Sequence, residues 1–273
     1  MNSLNNSNTP FHRYSLKQRL YSLYAIWYRE ILIYLRNSIK VFTSIFLPIL
    51  LVFFFSAGFQ SFFAQSNFSY NFKEFFFSGI LALGTAVVTM TSTLSIVWDK
   101  EFGFLREILV SPVPRSNIAL GKILGAVTTS LIQGGILLAL SSWIGIEMNL
   151  LIFIKTFIFI CIFNIGVGAL SVLIASSIQK TESFSIVLQV LIAPMSFLSG
   201  ALFPLTQLPQ WLMRFLYINP FTYGVDGVRW LMLANTLPQK TIAEITFFNF
   251  HQCCAFLILF DALMIILAVR KLR

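Results

Sequence analysis

Long runs of uncharged apolar residues dominate the chain. Five such runs occupy residues 41–59, 75–98, 123–146, 156–179 and 183–205, and a sixth, 247–269, carries one charge at Asp261. The hydrocarbon core of a bilayer is about 30 Å thick, and a helix of about 20 apolar residues spans it. A membrane β-barrel would instead show alternating segments of about 10 residues. The pattern therefore predicts an all-α membrane protein with six transmembrane helices, in a domain covering residues 39–273.

Residues 1–38 form a separate cytoplasmic segment ahead of the first apolar run. This segment has no apolar core, so it does not resemble a secretory signal peptide. Apolar side chains recur in it every three or four residues, which predicts an amphipathic helix with a basic opposite face. We expect this helix to lie in the cytoplasmic headgroup layer, with packing against a partner protein as the alternative. The apolar stripe consists of Leu16, Leu20, Leu23, Trp27, Ile31 and Tyr34.

The connection at residues 98–115 reads WDKEFGFLREILVSPVPR and joins two predicted spans. Its apolar side chains share one face of a helix of about two turns, which a pair of prolines would end. A short helix with one apolar face at the membrane surface indicates a docking element for another protein. Gly103 would let the chain leave the second span, and Leu105, Ile108 and Leu109 would fill a groove on the partner. The candidate docking residues are Glu101, Gly103, Leu105, Arg106, Glu107, Ile108 and Leu109.

A second informative stretch, residues 202–229, begins near the end of the fifth predicted span. Helical spacing predicts a short amphipathic helix at 208–216, and an Asn-Pro turn precedes a second helix at 220–230. Asp226 and Arg229 are three residues apart and can pair on that helix. We expect a re-entrant hairpin that closes the outer end of a pathway, with an ordinary extracellular loop as the alternative. The candidate gate residues are Trp211, Asn219, Pro220, Tyr223, Asp226 and Arg229.

The distribution of charge predicts the orientation of the chain. With both termini in the cytoplasm, 14 of the 19 Lys and Arg residues lie on the cytoplasmic side. The others, at or near the outer side, are Lys73, Lys155, Arg214, Arg229 and Lys240. This bias follows the positive-inside rule and accounts for the net charge of +9. Because the basic residues flank the spans rather than form one patch, no nucleic-acid partner is expected.

Few residues suit catalysis, metal binding or nucleotide binding. Charged residues make up 11% of the sequence and there are two histidines, too sparse for the clustered groups of an enzyme site. The three cysteines lack the spacing of a metal site. No G-x-x-x-x-G-K-[ST] motif occurs, so we expect no cofactor in this chain and, if ATP is used at all, its hydrolysis by another chain. For Asp261, a structural pair with another helix or an acid that snorkels to the cytoplasmic edge is preferred, and proton coupling is the alternative.

Three motifs resemble permeases of the ABC-2 type family, the membrane half of ATP-binding-cassette exporters. The first is WYRE at residues 27–30, with Arg36. The second and most specific is DKEFGFLREILVSPVPR at residues 99–115, followed by Gly121-Lys122. The third is FLSGALFPLTQLPQWL at residues 197–212, with NPFTYGVDGVR at residues 219–229. Lys100 stands where the family often has arginine.

The resemblance implies six helices per subunit, two subunits per pore and a separate ATPase bound to each subunit. It also implies that residues 101–110 form the coupling helix that the ATPase contacts. We therefore expect the permease subunit of an ABC exporter for a hydrophobic or lipid-linked substrate, present as a homodimer among membrane lipids. A membrane-embedded transferase and a non-transporting membrane assembly factor are the alternatives.

The composition also bears on the compartment. Thirty phenylalanines and an Asn-rich start indicate an AT-rich coding genome. This favours a plastid membrane, with both termini in the stroma, over a bacterial plasma membrane.

Overall fold

The computed structural model describes residues 15–63, 72–103, 114–146, 148–203 and 209–271. These residues form eleven α-helices and no strand, which confirms the predicted all-α class. The helices are α1 (Leu16–Arg36), α2 (Ser38–Phe63), α3 (Phe72–Ser92), α4 (Leu94–Glu101), α5 (Arg115–Leu140), α6 (Leu150–Ser177), α7 (Thr181–Phe197), α8 (Gln210–Leu216), α9 (Pro220–Leu233), α10 (Gln239–Ile245) and α11 (Phe250–Lys271).

Five segments of the described chain are long and apolar enough to cross a membrane. They are α2, the combined α3–α4 segment, α5, α6 and α11, and each overlaps one of the predicted runs. α3 and α4 form one span, Phe72–Glu101, with an interruption at Thr93. The α3–α4 span, α5 and α6 are more deeply buried than α2 and α11, so they form the centre of the bundle.

The third span differs from its predicted position at residues 123–146. Its helix begins at Arg115, directly after Pro114, and ends at Leu140. The sequence-based boundary leaves out Lys122 as a flanking charge. In the structure Lys122 lies inside the helix, where two acidic side chains compensate its charge.

The fifth predicted span, residues 183–205, contains a shorter helix. α7 has 17 residues, and the chain turns soon after it at Gly200, which has a φ of 75°. The buried side chains of α7 are Phe184 and Leu188. Because a helix of about 17 residues is at the lower limit for crossing a bilayer, the count of six spans stays a prediction.

α1 is the predicted N-terminal helix, and it packs lengthwise against the first half of α5. The indole of Trp27 donates a hydrogen bond to the hydroxyl of Thr128 at 2.9 Å. Gly125 permits the close approach, because a Cβ atom there would lie 2.5 Å from Glu30 Cβ. Small residues at such helix crossings let two backbones come near each other.

The buried face of α1 is centred on Glu30 and Tyr34, and burial raises the pKa of the Tyr34 hydroxyl. Leu16 and Leu20, predicted to belong to the apolar face, are exposed. The helix docks on α5 through a narrower face, and contact of the remaining apolar side chains with the headgroup layer stays a prediction. A second set of exposed side chains on α1 is aromatic: Tyr21, Tyr24 and Tyr28.

The predicted outer hairpin contains two helices in the structure, and a third follows it. α8 and α9 correspond to the predicted helices at 208–216 and 220–230, and α10 is additional. Of the 14 residues of α9, 12 are buried, and the helix packs against α3, α6 and α11. α9 therefore belongs to the core of the bundle rather than to an exposed loop.

Candidate functional site

Four charged side chains and a serine meet where α4 ends and α5 begins. Lys122 Nζ lies 2.6 Å from Asp99 Oδ2 and 2.7 Å from Glu30 Oε1. Ser95 Oγ donates to Glu30 Oε2 at 2.6 Å. Arg29 donates to both carboxylate oxygens of Asp99, at 2.5 and 3.0 Å. We call these five residues the polar cluster.

The formal charges of the polar cluster cancel, because two carboxylates face two cations. The side chains of Lys122, Glu30 and Asp99 are 2%, 6% and 4% exposed, whereas that of Arg29 is 43% exposed. The hydrogen bonds to Asp99 raise the pKa of the Arg29 guanidinium above its usual value. Removal of one partner from a buried ion pair costs about 3–5 kcal/mol, since the remaining charge is uncompensated. The cluster is therefore a strong constraint on the helices that supply it.

The polar cluster joins three elements around the 104–113 segment. Asp99 and Ser95 lie on α4, which precedes the segment, and Lys122 lies on α5, which follows it. Arg29 and Glu30 lie on α1. The structure thus fixes the two flanks of the segment to each other and to α1. The predicted docking residues Leu105, Arg106, Glu107, Ile108 and Leu109 lie outside the described residues.

The two residues after Asp99 contact other helices. Lys100 Nζ donates to three main-chain carbonyl oxygens at the end of α6, at 2.6 to 3.3 Å. Glu101 accepts hydrogen bonds from the main-chain N–H and the hydroxyl of Thr181, the first residue of α7. Gly103 follows with a φ of 83°, in the left-handed region that favours glycine after a helix.

A second pair of buried charges lies on α9, near the opposite end of the α3–α4 span. Asp226 Oδ1 and Arg229 Nη1 are 3.9 Å apart, and both side chains are 1% exposed. The predicted proximity of these two residues is therefore confirmed. Asp226 Oδ2 also accepts the main-chain N–H groups of Phe247 and Phe248, each at 2.9 Å, just before α11 begins.

Arg229 has further partners of its own. Its Nη2 donates to the carbonyl oxygen of Gly200 at 3.0 Å. Its guanidinium carbon lies 3.8 Å from the centre of the Phe75 ring, at the start of α3, which is a cation–π geometry. Asp226 and Arg229 together connect α9 to α3, to the chain after α7 and to the chain before α11.

The other predicted gate residues divide into a buried and an exposed group. Asn219 caps α9, and its side-chain amide donates to a main-chain carbonyl of α7 at 2.8 Å. Pro220 is the first residue of α9, and the ring of Tyr223 stacks on two phenylalanine rings. Trp211 on α8 is exposed. The structure therefore gathers the predicted gate residues on and beside α9, except for Trp211.

The sequence matches the profile of a known family over residues 21–233, and that family is described as ABC-2 type transporter. The match includes the polar cluster, the 104–113 segment and α9. The chain belongs to the ABC-2 type transporter family.

Relatives of this ABC-2 chain include proteins of algae and bacteria. Cyanophora paradoxa ycf38, named as a transport permease, is 32% identical over 232 residues, or 83% of this chain and 80% of that protein. Escherichia coli K12 YbhR, named as a multidrug ABC transporter permease, is 28% identical over 167 residues, or 60% and 45% of the two chains. YadH of the same strain, named as an inner membrane transport permease, is 24% identical over 183 residues, or 63% and 68%.

Sequence reasoning did not identify the polar cluster of this ABC-2 chain. Glu30, Asp99 and Lys122 each belong to one of the family-like motifs, but the sequence did not place them together. The positions of the charged residues could have suggested that they pair. Two acids and a lysine stand at the margins of apolar helices, and such charges are stable there mainly when they are paired.

Asp261 lies on α11 and is 8% exposed. Its carboxylate packs against Gly166 on α6, and its Oδ1 atom accepts no hydrogen bond from the described residues. A structural pair with another helix stays a prediction. Proton coupling by Asp261 stays a prediction. In the part of the chain that the structure describes, no three His, Cys, Asp or Glu side chains are grouped as metal ligands.

Proposed function

We propose that this ABC-2 chain is the permease subunit of an exporter whose ATP is hydrolysed by a separate ATPase. The observation that carries the proposal is the contact between Asp99 and Lys122, which links the two flanks of the 104–113 segment. That segment is the predicted docking element for the ATPase. A docking element held at both flanks by membrane helices moves those helices when its partner moves.

The polar cluster determines which helices move when the 104–113 segment is displaced. Displacement of the 104–113 segment acts on α4 and α5 together and, through Glu30, on α1. α4 continues into α3 with an interruption at Thr93, so the movement reaches the centre of the bundle. The similarity to YbhR, which is named as an ABC transporter permease, supports an ABC ATPase as the partner.

A cleft of about 550 Å³ between the α3–α4 span and α7 supports a hydrophobic or lipid-linked substrate. Gln189 is exposed on this face, and a polar side chain facing lipid is unfavourable. We therefore place a second copy of the chain over the cleft, in a homodimer with the pathway between the two subunits. The residues lining the cleft include Val87, Thr91, Leu94, Leu188, Gln189 and Ile192.

We place the outer gate at α9. Asp226 and Arg229 attach this helix to three other parts of the bundle, so α9 would move with them rather than independently. Asn219, Pro220 and Tyr223 fix the start of the helix. Trp211 on the exposed α8 suits the outer headgroup layer, where indole rings are enriched.

The proposed orientation has both termini and the 104–113 segment in the cytoplasm or stroma. The exposed tyrosines of α1 support contact with the headgroup layer, because tyrosine is enriched at membrane interfaces. We favour a plastid membrane, supported by the similarity to the algal protein ycf38, with a bacterial plasma membrane as the alternative.

Affinity purification of the tagged full-length chain from its native membrane, followed by mass spectrometry, tests the proposed function. We expect an ABC ATPase in an amount close to that of the chain, and two copies of the chain in each complex. The control is the same tag on an unrelated multi-pass protein of that membrane. Absence of any ABC ATPase would overturn the permease proposal and favour the transferase or the assembly factor.

A further inference from the structure

The turn between α6 and α7 is attached to the end of α4 at two points. α6 ends at Ser177 and α7 begins at Thr181. Lys100 Nζ donates to the carbonyl oxygens of Ala175, Ser176 and Ile178, at 2.8, 2.6 and 3.3 Å. These are carbonyl groups near the end of α6, where the last turn of a helix leaves acceptors without intrahelical partners. A cation there is also favoured by the helix dipole.

Glu101 provides the second point. The residue at the N-cap position of α7 is Lys180, whose side chain makes no capping hydrogen bond. Glu101 supplies the missing acceptor from another helix, because its Oε2 accepts the Thr181 N–H at 2.9 Å and the Thr181 hydroxyl. A carboxylate at a helix N-terminus is stabilising because it accepts hydrogen bonds from the free N–H groups of the first turn. Its negative charge also interacts favourably with the helix dipole.

In the described part of the chain, α7 is also attached at its far end, where the Asn219 amide donates to the Met195 carbonyl oxygen at 2.8 Å. Its buried side chains are Phe184 and Leu188, and most of its length is exposed. The cleft described above separates much of α7 from the α3–α4 span. The contacts of Lys100 and Glu101 are therefore well placed to set the position of the first turn of α7.

We infer that Lys100 and Glu101 are positioning residues that couple the 104–113 segment to α7. We call the two residues and their partners at 175–181 the α7 latch. Lys100 and Glu101 lie three and two residues before Gly103, which has a φ of 83° and is the last described residue before the segment. Displacement of the segment therefore acts on the end of α4, where both points of the latch lie. α7 then moves with α4, and the width of the cleft changes. The inference rests on the proposed function, which supplies the ATPase-driven movement.

Hydrogen–deuterium exchange of the chain alone in nanodiscs tests the attachment without any ATPase. In the Lys100→Met, Glu101→Ala double variant we expect the amides of residues 181–188 to exchange about threefold to tenfold faster than in the natural chain. Glu244→Ala removes an exposed acid on α10, away from α7, and is expected to leave exchange unchanged. Lys100→Arg keeps a donor at the end of α6 and is expected to exchange at the natural rate. Unchanged exchange in the double variant would overturn the latch.

A second measurement tests transmission in the complex with the co-purifying ATPase. Spin labels at positions 87 and 186, in a background without the three cysteines, report the distance between α3 and α7. Addition of ATP and vanadate is expected to change this distance in the natural chain. With the ATPase added to saturation, so that both complexes hold equal amounts of it, the change is expected to fall by at least half in the double variant. An equal change in both proteins would overturn the latch. Failure of the natural chain to bind an ATPase would instead overturn the proposed function. The hydrogen–deuterium exchange measurement would still test whether Lys100 and Glu101 hold the first turn of α7.

Discussion

Lys122 and Asp99, which are 23 positions apart in the sequence, form a 2.6 Å salt bridge that joins the two flanks of the 104–113 segment. Lys122 also holds Glu30 of α1, from 92 positions away, at 2.7 Å. One buried ammonium group thus connects three helices. Lys122 is the buried cation of the polar cluster, so its loss leaves two buried carboxylates with Arg29, a half-exposed cation, as their remaining partner.

Replacement of Lys122 by methionine is expected to lower the free energy of unfolding by about 3–5 kcal/mol. The change keeps the length of the side chain but leaves Glu30 and Asp99 buried with one cation between them. Thermal unfolding in detergent measures the loss. Lys155→Met makes the same chemical change at an exposed site and is expected to shift stability by no more than about 0.5 kcal/mol.

Arg29 provides a graded comparison within the same cluster. Its side chain is 43% exposed, so solvent screens its interaction with Asp99. Arg29→Ala is therefore expected to cost about 1 kcal/mol or less. A larger loss for Arg29→Ala than for Lys122→Met would contradict the assignment of Lys122 as the central member.

Alanine at position 125 is expected to displace α1 from α5. The added Cβ would lie 2.5 Å from Glu30 Cβ, so one of the two helices must shift. Disulfide crosslinking between cysteines at positions 27 and 128 measures the separation, and we expect its yield to fall at least several-fold. Gly58→Ala is the matched control, because a Cβ at that position would meet no described atom within 4 Å beyond its chain neighbours and its own helix backbone. Equal crosslinking in both variants would show that α1 does not depend on this close approach.

Asp226→Ala is expected to loosen the chain at the start of α11. The carboxylate accepts the Phe247 and Phe248 amides and also lies near Arg229. Amide exchange at positions 247 and 248 is expected to rise about tenfold or more, with a smaller rise for Asp226→Asn, which keeps one acceptor oxygen. Glu244→Ala removes an exposed acid on α10 and serves as the control.

Exchange of the two residues, as Asp226→Arg with Arg229→Asp, is expected not to restore the natural protein. Asp226 binds main-chain donors, whereas Arg229 binds a main-chain acceptor and the face of Phe75. Position 226 therefore needs a hydrogen-bond acceptor, and position 229 needs a cationic hydrogen-bond donor. Natural exchange rates in the swapped protein would mean that the mutual attraction of the pair outweighs these separate contacts.

Cysteine labelling tests the proposed orientation. In a background without Cys161, Cys253 and Cys254, reagents that do not cross the membrane are expected to label both termini and the 104–113 segment from the cytoplasmic or stromal side. Positions 67 and 207, which lie outside the described residues, are expected to react from the other side. Labelling of position 207 from the cytoplasmic side alone would refute the six-span arrangement.

The helices could be predicted because length, apolarity and period are local properties of a sequence. The pairing of Asp226 with Arg229 was also local, since the two residues are three apart on one helix. By contrast, the third span was placed too late because Lys122 looks like a membrane-flanking charge. Only its partners on α1 and α4 reveal that it is buried, and they come from distant parts of the chain.

The same reason explains why the role of Lys100 was not found. Its partners are main-chain carbonyl groups of α6, 75 to 78 positions away, and a carbonyl group leaves no signature in the sequence. Likewise, Glu101 was predicted to contact an ATPase because of its charge and its place in the connection at residues 98–115, and that role stays a prediction. In the structure it contacts Thr181 on α7. Contacts made to the backbone of distant helices are thus the least predictable part of the site.

The dissociation constant of the co-purifying ATPase for the chain in nanodiscs tests the central claim most directly. Leu105→Asp with Leu109→Asp places two charges on the predicted docking face, and we expect binding to weaken at least 100-fold, about 2.7 kcal/mol, while membrane insertion persists. Trp143→Asp with Ala234→Asp adds the same charge at exposed sites on the proposed outer side and is expected to bind like the natural chain. Unweakened binding by the Leu105→Asp, Leu109→Asp variant would contradict a docking role for the 104–113 segment.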